Sequence, residues 1–277
     1  MLLRGTFQKA WMNNVKTIIS SYSDEINEHR VWLEPFGKQR LDKWEELLAV
    51  NPEAAICEAL TRLFLSKQGV FVKPYEDLSR GGPDLICYIS NISFYMEITC
   101  VTKEKVTKKS KLNDQPTGAS YYKLLTDVFL GELRNKVPQC SKLDAPCIVA
   151  ICTLHRQGGA KCFGKIAVED LLTGTTHVSM EFDTKQGQGV GKVYKSTDLR
   201  DSAFIRLDKT STGQIEFARN SISAVLLCAF GYLQMKVVVA LHPNPNYPFD
   251  RTLLDKIEFG RLAEGCIQTD RLNVEWI

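Results

Sequence analysis

Two acidic residues bracket a predicted β-hairpin near the middle of this chain. Asp84 stands directly before the apolar run Leu85–Ile89, and Glu97 lies near the end of the next run, 93–99. Both runs are rich in β-branched, aromatic and aliphatic residues, and turn-forming residues occupy 90–92 between them. Because the outer ends of two antiparallel strands are neighbours, such a hairpin brings the two carboxylates together.

Two carboxylates that converge without a base between them repel each other, and a divalent cation relieves that repulsion. Hard oxygen ligands suit Mg²⁺, with Mn²⁺ as an alternative. The hairpin therefore predicts a metal site made by Asp84 and Glu97. The competing interpretation is that Asp84 belongs to an ordinary Gly-Gly-Pro-Asp turn and that Glu97 is an exposed strand residue.

The rest of the chain predicts helices around a sheet. The clearest helix begins after Asn51, a good N-cap followed by Pro52 and Glu53, and should end near Lys67. The expected elements after it are a strand at 70–73, the hairpin, a basic loop at 103–115, a helix at 119–137, an apolar strand at 147–152, a short helix at 168–172, and strands at 222–230 and 236–241.

This order indicates an α/β fold, with a mixed β-sheet flanked by helices. Residues 1–50 are expected to form a helical N-terminal extension, and residues 51–277 one α/β domain with its motif region at 51–155. The run at 147–152 is apolar throughout, as is typical of a strand covered on both faces.

Charge and cysteine usage narrow the class of protein. A net charge of +3 on 277 residues is too small to indicate nucleic-acid binding by itself, so any basic surface must be local. The nine cysteines are spread singly in mostly apolar stretches, which is typical of reduced, buried thiols. The sequence shows neither a signal peptide nor an apolar run long enough to span a bilayer, so a cytoplasmic protein without a membrane partner is expected.

The motif and the element order resemble the PD-(D/E)XK nucleases, the restriction-endonuclease-like superfamily. Pro83-Asp84 and Glu97-Ile98-Thr99 stand on successive strands, after a helix that carries an acid and before a further helix and strand. The resemblance implies a restriction-endonuclease-like core and metal-dependent hydrolysis of phosphodiester bonds in nucleic acid, with DNA as the first expectation and defence or restriction as a role. It also implies that Asp84, Glu97 and the Ile98 backbone carbonyl hold Mg²⁺. A homodimer is compatible with it.

Thr99 departs from this pattern, because the superfamily usually places its lysine there. In the predicted helix at 119–137, residues near Leu125 and Val128 form an apolar arc, and Lys136 falls within it together with Glu132. A lysine facing the core needs a partner or a function, so Lys136 is the expected replacement. Alternatively, Glu132 and Lys136 form an ordinary helical ion pair. Without a replacement lysine, the chain would be an inactive nuclease-fold module that binds nucleic acid or a protein.

The preceding helix offers two candidates for a third acid. Glu53 falls on the apolar face of the helix and Glu58 lies nearly opposite, so Glu53 is preferred as a catalytic residue and Glu58 is the fallback. Glu53 could instead serve only the helix dipole.

A basic run follows the motif and is interrupted by a single acid, Glu104. It is expected to contact phosphates beside the cleaved bond, although a solvated loop is an equally simple interpretation. Its members are Lys103, Lys105, Lys108, Lys109 and Lys111.

Overall fold

A computed structural model of the chain describes residues 16–77, 81–115, 123–183, 188–198, 202–207, 215–231, 235–264 and 272–277. Its helices are α1 (Ser23–Leu33), α2 (Lys38–Val50), α3 (Pro52–Lys67), α4 (Lys103–Ser110), α5 (Thr126–Cys140), α6 (Arg156–Cys162) and α7 (Lys165–Thr173). Its strands are β1 (Phe71–Pro74), β2 (Leu85–Ile89), β3 (Ile92–Cys100), β4 (Cys147–Thr153), β5 (Thr175–Asp183), β6 (Gln188–Asp198), β7 (Ile205–Leu207), β8 (Ile215–Phe217), β9 (Ala224–Ala229), β10 (Lys236–Leu241), β11 (Glu258–Leu262) and β12 (Val274–Trp276).

The centre of the fold is an eight-stranded mixed sheet with the order β1-β2-β3-β4-β9-β10-β11-β12. Strands β1, β2 and β3 are antiparallel, and β3, β4 and β9 are parallel. Two separate hairpins, β5–β6 and β7–β8, stand outside this sheet. The mixed sheet flanked by helices confirms the predicted fold class. In the described part of the chain, no helix has both the length and the apolar character needed to cross a bilayer.

The predicted hairpin forms and brings its outer ends together. Leu85 at the start of β2 pairs with Met96 on β3, so Asp84 lies beside the end of β3. Ser90 and Asn91 in the turn have positive φ angles of 48° and 66°, as a tight two-residue hairpin turn requires. Turn chemistry and strand composition therefore fix this register together.

Helix α3 begins and ends where the sequence predicts. The Asn51 side chain accepts a hydrogen bond from the Ala54 N–H (3.3 Å), and Pro52 occupies the first turn. Gly69, with φ +82°, follows the helix end. Most of the helix between these ends is buried, because it packs on the sheet and is itself covered by α1 and α2.

Strand β3 contributes to a hydrophobic core on each face of the sheet. Phe94, Met96 and Ile98 join the core that contains α1, α2 and α3. Tyr95 joins the opposite core, which contains α4 and α5. Because successive strand residues point to opposite faces, Glu97 points toward α5.

Two predicted elements differ from the structure. The basic segment expected as a loop forms α4, since Thr102 caps the Lys105 N–H and Val106 is fully buried as an apolar anchor. The helix expected at 119–137 begins only at Thr126 and ends at Cys140. Residues 123–125 are not helical, and 116–122 lie outside the described residues.

Two glycines provide a matched test of this packing. A Cβ at Gly231 would overlap the carbonyl group of Leu154, so Gly231→Ala should lower the free energy of unfolding by about 1–3 kcal/mol. Gly131 in α5 has open space around it, so Gly131→Ala should raise that free energy by about 0.5–1 kcal/mol. Urea denaturation measures both changes, and equal midpoints for the two variants would contradict this account of the core.

Candidate active site

The hairpin places the two predicted acids at one end of the sheet. Oδ2 of Asp84 accepts a hydrogen bond from the Ile98 backbone N–H (2.6 Å), which ties the residue before β2 to the end of β3. Burial, followed by the nearby charges of Glu97 and Glu58, raises the pKa of the Asp84 carboxyl well above its usual range. The carboxylates of Asp84 and Glu97 therefore interact, as the sequence predicts.

Lys136 reaches this pair from α5. Its Nζ lies 2.5 Å from Oε1 of Glu97, and the Glu97 side chain is only 1% exposed. Burial alone would lower the pKa of Lys136, but the carboxylates of Glu97 and Asp84 outweigh that effect and raise it. The structure thus places the ammonium on Glu97, on the core-facing side of the helix to which the apolar arc assigns Lys136.

Glu132 has other partners, so the alternative of a Glu132–Lys136 ion pair is not what forms. The Thr99 hydroxyl donates to Oε2 of Glu132 (2.9 Å), and the Lys105 ammonium binds Oε1. Thr99 follows Glu97 by two positions on β3 and therefore points to the same face of the strand. Both side chains contact α5. Thr99, the residue in place of the usual lysine, is therefore hydrogen-bonded to Glu132, an acid on the same helix as Lys136.

Glu53, the acid that the sequence favours as the third member, contacts the start of α4 in the structure. Its carboxylate accepts a hydrogen bond from the backbone N–H of Lys103 (2.8 Å) and so stabilises the start of α4. Glu58 joins the cluster instead. Burial, Glu76 and Glu97 raise its pKa to about 8, against the opposing effect of Lys136. The apolar arc of the helix does not separate Glu53 from Glu58, because α1 and α2 cover the outer side of α3 and both sides of this helix are packed.

A cleft of about 200 Å³ opens over these acids. Glu58, Glu76 and Asp84 line one part of it, and side chains from α1 and α2 line another; the latter include His29, Trp32, Arg40, Lys43 and Trp44. Sequence reasoning missed Glu76, which lies just after β1 and pairs with Lys43 (2.6 Å). No pattern in the sequence separates it from an ordinary surface acid. The helices of the predicted N-terminal extension form a wall of the site.

The cluster contains more carboxyl groups than ammonium groups. Asp84, Glu97, Glu58 and Glu76 face the two ammonium groups of Lys136 and Lys43. Burial raises the pKa of Glu97 even though Lys136 opposes that shift. Oε2 of Glu97 is buried and has no hydrogen-bond partner among the described residues. An added cation would lower the free energy of this arrangement.

Asp84 and Glu97 are the candidate ligands for a divalent cation. In the described ranges, no three His, Cys, Asp or Glu side chains are grouped so that they could hold a metal ion. Mg²⁺, however, commonly takes one or two carboxylates and completes its shell with waters and substrate phosphates. Asp84 and Glu97 can supply two such carboxylates. Coordination by the Ile98 carbonyl stays a prediction, while the N–H of the same residue orients Asp84.

The predicted phosphate-contacting lysines separate into two groups. Lys103 pairs with Asp114 (3.1 Å), and Lys105 pairs with Glu132 beside the acid cluster. Lys108 and Lys109 lie further along α4 and line a different cleft.

Comparisons of the chain with protein-family models, with curated proteins and with solved structures find no match. What the site can do must therefore be judged from its own residues.

The raised pKa of Glu58 predicts a specific dependence of stability on pH. The folded protein keeps the Glu58 proton up to about pH 8, whereas the unfolded chain releases it near pH 4.5. Stability from this group is thus complete below pH 4.5 and is lost as the pH rises toward 8, by at most about 1.4 kcal/mol per pH unit. In Glu58→Gln this loss should disappear, as measured by urea denaturation between pH 5 and 8 in metal-free buffer.

The exposed acid Glu46 on α2 supplies the control. Glu46→Gln should follow the wild-type pH profile. A Glu58→Gln profile that falls with pH as steeply as the wild-type profile would show that Glu58 carries no such proton.

Proposed function

We propose that this protein is a metal-dependent nuclease that hydrolyses phosphodiester bonds of nucleic acid, with DNA as the first substrate to test. One observation carries the proposal: the Lys136 ammonium bonds Glu97 at 2.5 Å, beside Asp84. An acid pair with a lysine is the combination that the PD-(D/E)XK resemblance requires. Here the lysine comes from α5, because Thr99 occupies the usual position.

Each side chain has a role that follows from its position. Asp84 and Glu97 would hold Mg²⁺ or Mn²⁺, and the Ile98 N–H keeps the Asp84 carboxylate oriented toward that place. When bound, the ion polarises the phosphate and lowers the pKa of a bound water. Lys136 donates hydrogen bonds to the attacking water or to the negative charge that develops on the phosphate. Glu58 adds a third carboxyl group behind the pair, and a bound cation would favour its ionised form.

DNA as substrate and a role in defence or restriction belong to the same proposal. They are supported by the resemblance of the motif and by the lysines of α4, which follow directly after β3. Nothing in the acid cluster distinguishes DNA from RNA, since both supply the same phosphodiester group.

A second candidate is a nuclease-fold module that binds nucleic acid or a protein without cleaving it. The contact between Lys136 and Glu97 also supports this candidate, because the ammonium already neutralises one of the two predicted metal ligands. The bond between Thr99 and Glu132 is a further stable, metal-independent arrangement.

Cleavage assays with Mg²⁺ or Mn²⁺ separate the two candidates. Asp84→Asn and Glu97→Gln should each lower the cleavage rate by at least about 100-fold, because each removes a charged ligand from the reacting centre. Lys136→Met should lower it by about 10²–10³-fold, since it removes one preorganised donor. Chelation of the metal should abolish cleavage.

Glu53→Gln is the matched control, because Glu53 lies on the same helix as Glu58 but caps α4. This variant should keep its activity within a factor of about three. Unchanged cleavage in both Asp84→Asn and Glu97→Gln would refute the assignment. Wild-type protein that binds DNA or RNA but cuts neither would establish the second candidate.

A further inference from the structure

Four lysines converge on one concave surface beside the proposed active site. Lys108 and Lys109 come from the last turn of α4, Lys111 is its left-handed C-cap with φ 68°, and Lys123 stands just before α5. The Lys123 N–H donates to the Ser110 carbonyl (2.9 Å), and this hydrogen bond joins the end of α4 to the segment before α5. We call this surface the lysine cleft.

The charge of the lysine cleft is unbalanced. All four lysines are exposed, and none forms an ion pair with another described residue. Asp127 is the one acid that lines the cleft in the described part of the chain, and Leu124 and Val128 complete the lining. Four ammonium groups held together against one carboxylate repel each other, so a polyanion would relieve that repulsion.

The lysine cleft and the acid pair lie along the same helix. Val128 in the cleft precedes Lys136 by eight positions on α5, which is about 12 Å at the rise of an α-helix. Between them, Lys105 of α4 bonds Glu132 of α5, so the ion pair joins the two helices at a point between the cleft and the acid pair. One strand of duplex DNA rises about 3.4 Å per nucleotide, so 12 Å spans about three to four nucleotides.

We propose that the lysine cleft binds backbone phosphates of the substrate about three to four nucleotides from the bond that is cut. This inference rests on the proposed function, and it assigns the substrate contact to lysines distant from the acids rather than to the whole basic run. Lys103 and Lys105 are already paired with Asp114 and Glu132. Recognition through phosphates gives affinity and register on the strand without a preference for base sequence.

The test compares two variants with equal charge change. The cleft variant carries Lys108→Gln, Lys109→Gln, Lys111→Gln and Lys123→Gln, and the control variant replaces exposed lysines elsewhere, namely Lys16→Gln, Lys38→Gln, Lys67→Gln and Lys256→Gln. Binding to a short labelled DNA duplex is measured by fluorescence anisotropy in metal-free buffer over a range of salt concentrations. All eight side chains are exposed, so both proteins should fold, which urea denaturation checks.

The cleft variant should bind about 10- to 100-fold more weakly near 0.1 M salt. The slope of log affinity against log salt should become shallower by about 1–3, since each lost phosphate contact changes it by about 0.9. The control variant should keep a slope close to that of the wild type. Equal slopes for the cleft variant and the wild type would overturn the proposal, as would a wild-type protein that binds neither DNA nor RNA.

Substrates shortened from either end locate the contact. A duplex that ends fewer than three nucleotides beyond the cut on the relevant side should bind the wild type and the cleft variant equally well. Longer duplexes should restore the difference. Wild-type protein whose affinity depends on the four cleft lysines but that cuts nothing would retain the lysine cleft and refute hydrolysis. Cleavage by the wild type, with unchanged affinity in the cleft variant, would retain hydrolysis and refute the lysine cleft.

Discussion

The buried carboxylate of Glu97 is the constraint around which this end of the molecule is arranged. An ionised carboxylate removed from water costs several kcal/mol unless a cation and hydrogen bonds compensate it. Lys136 supplies the cation, and α5 must therefore lie across β3 with its second half at the sheet end. The Asp84–Ile98 hydrogen bond then fixes the second acid beside the first. The same two contacts that make the fold locally stable also form the proposed reaction centre.

The N-terminal helices enclose the acids from the other face of the sheet. Helices α1 and α2 cover α3 and line the cleft above Glu58, Glu76 and Asp84. Burial of this side explains why the pKa of Glu58 is raised so far, since few solvent molecules remain to stabilise its charge. The site therefore spans the edge of the sheet, with Glu58 on the side of α1, α2 and α3 and with Glu97 and Lys136 on the side of α5.

Patterns of residues close together in the sequence predict the elements that depend on such residues alone, namely turns, helix starts and apolar strands. The turn at Ser90 and Asn91 fixes the hairpin, and Asn51 with Pro52 fixes the start of α3. The continuous apolar run of β4 predicts a strand covered on both faces, and the structure buries every residue of that strand. Helix α4 was missed because a short helix with a single buried anchor, Val106, has too few apolar residues to show a period.

The sequence by itself determined that Asp84 and Glu97 would meet and that Lys136 would face the core, because strand pairing and helical period are properties of nearby residues. Only the tertiary structure decided which helix acid joins them. Glu58 reaches the cluster and Glu53 caps α4, since that outcome depends on what covers each side of α3. The same holds for Glu76 and for the separation of the lysines between the acid cluster and the lysine cleft. These contacts join segments distant in sequence, and no spacing along the chain encodes them.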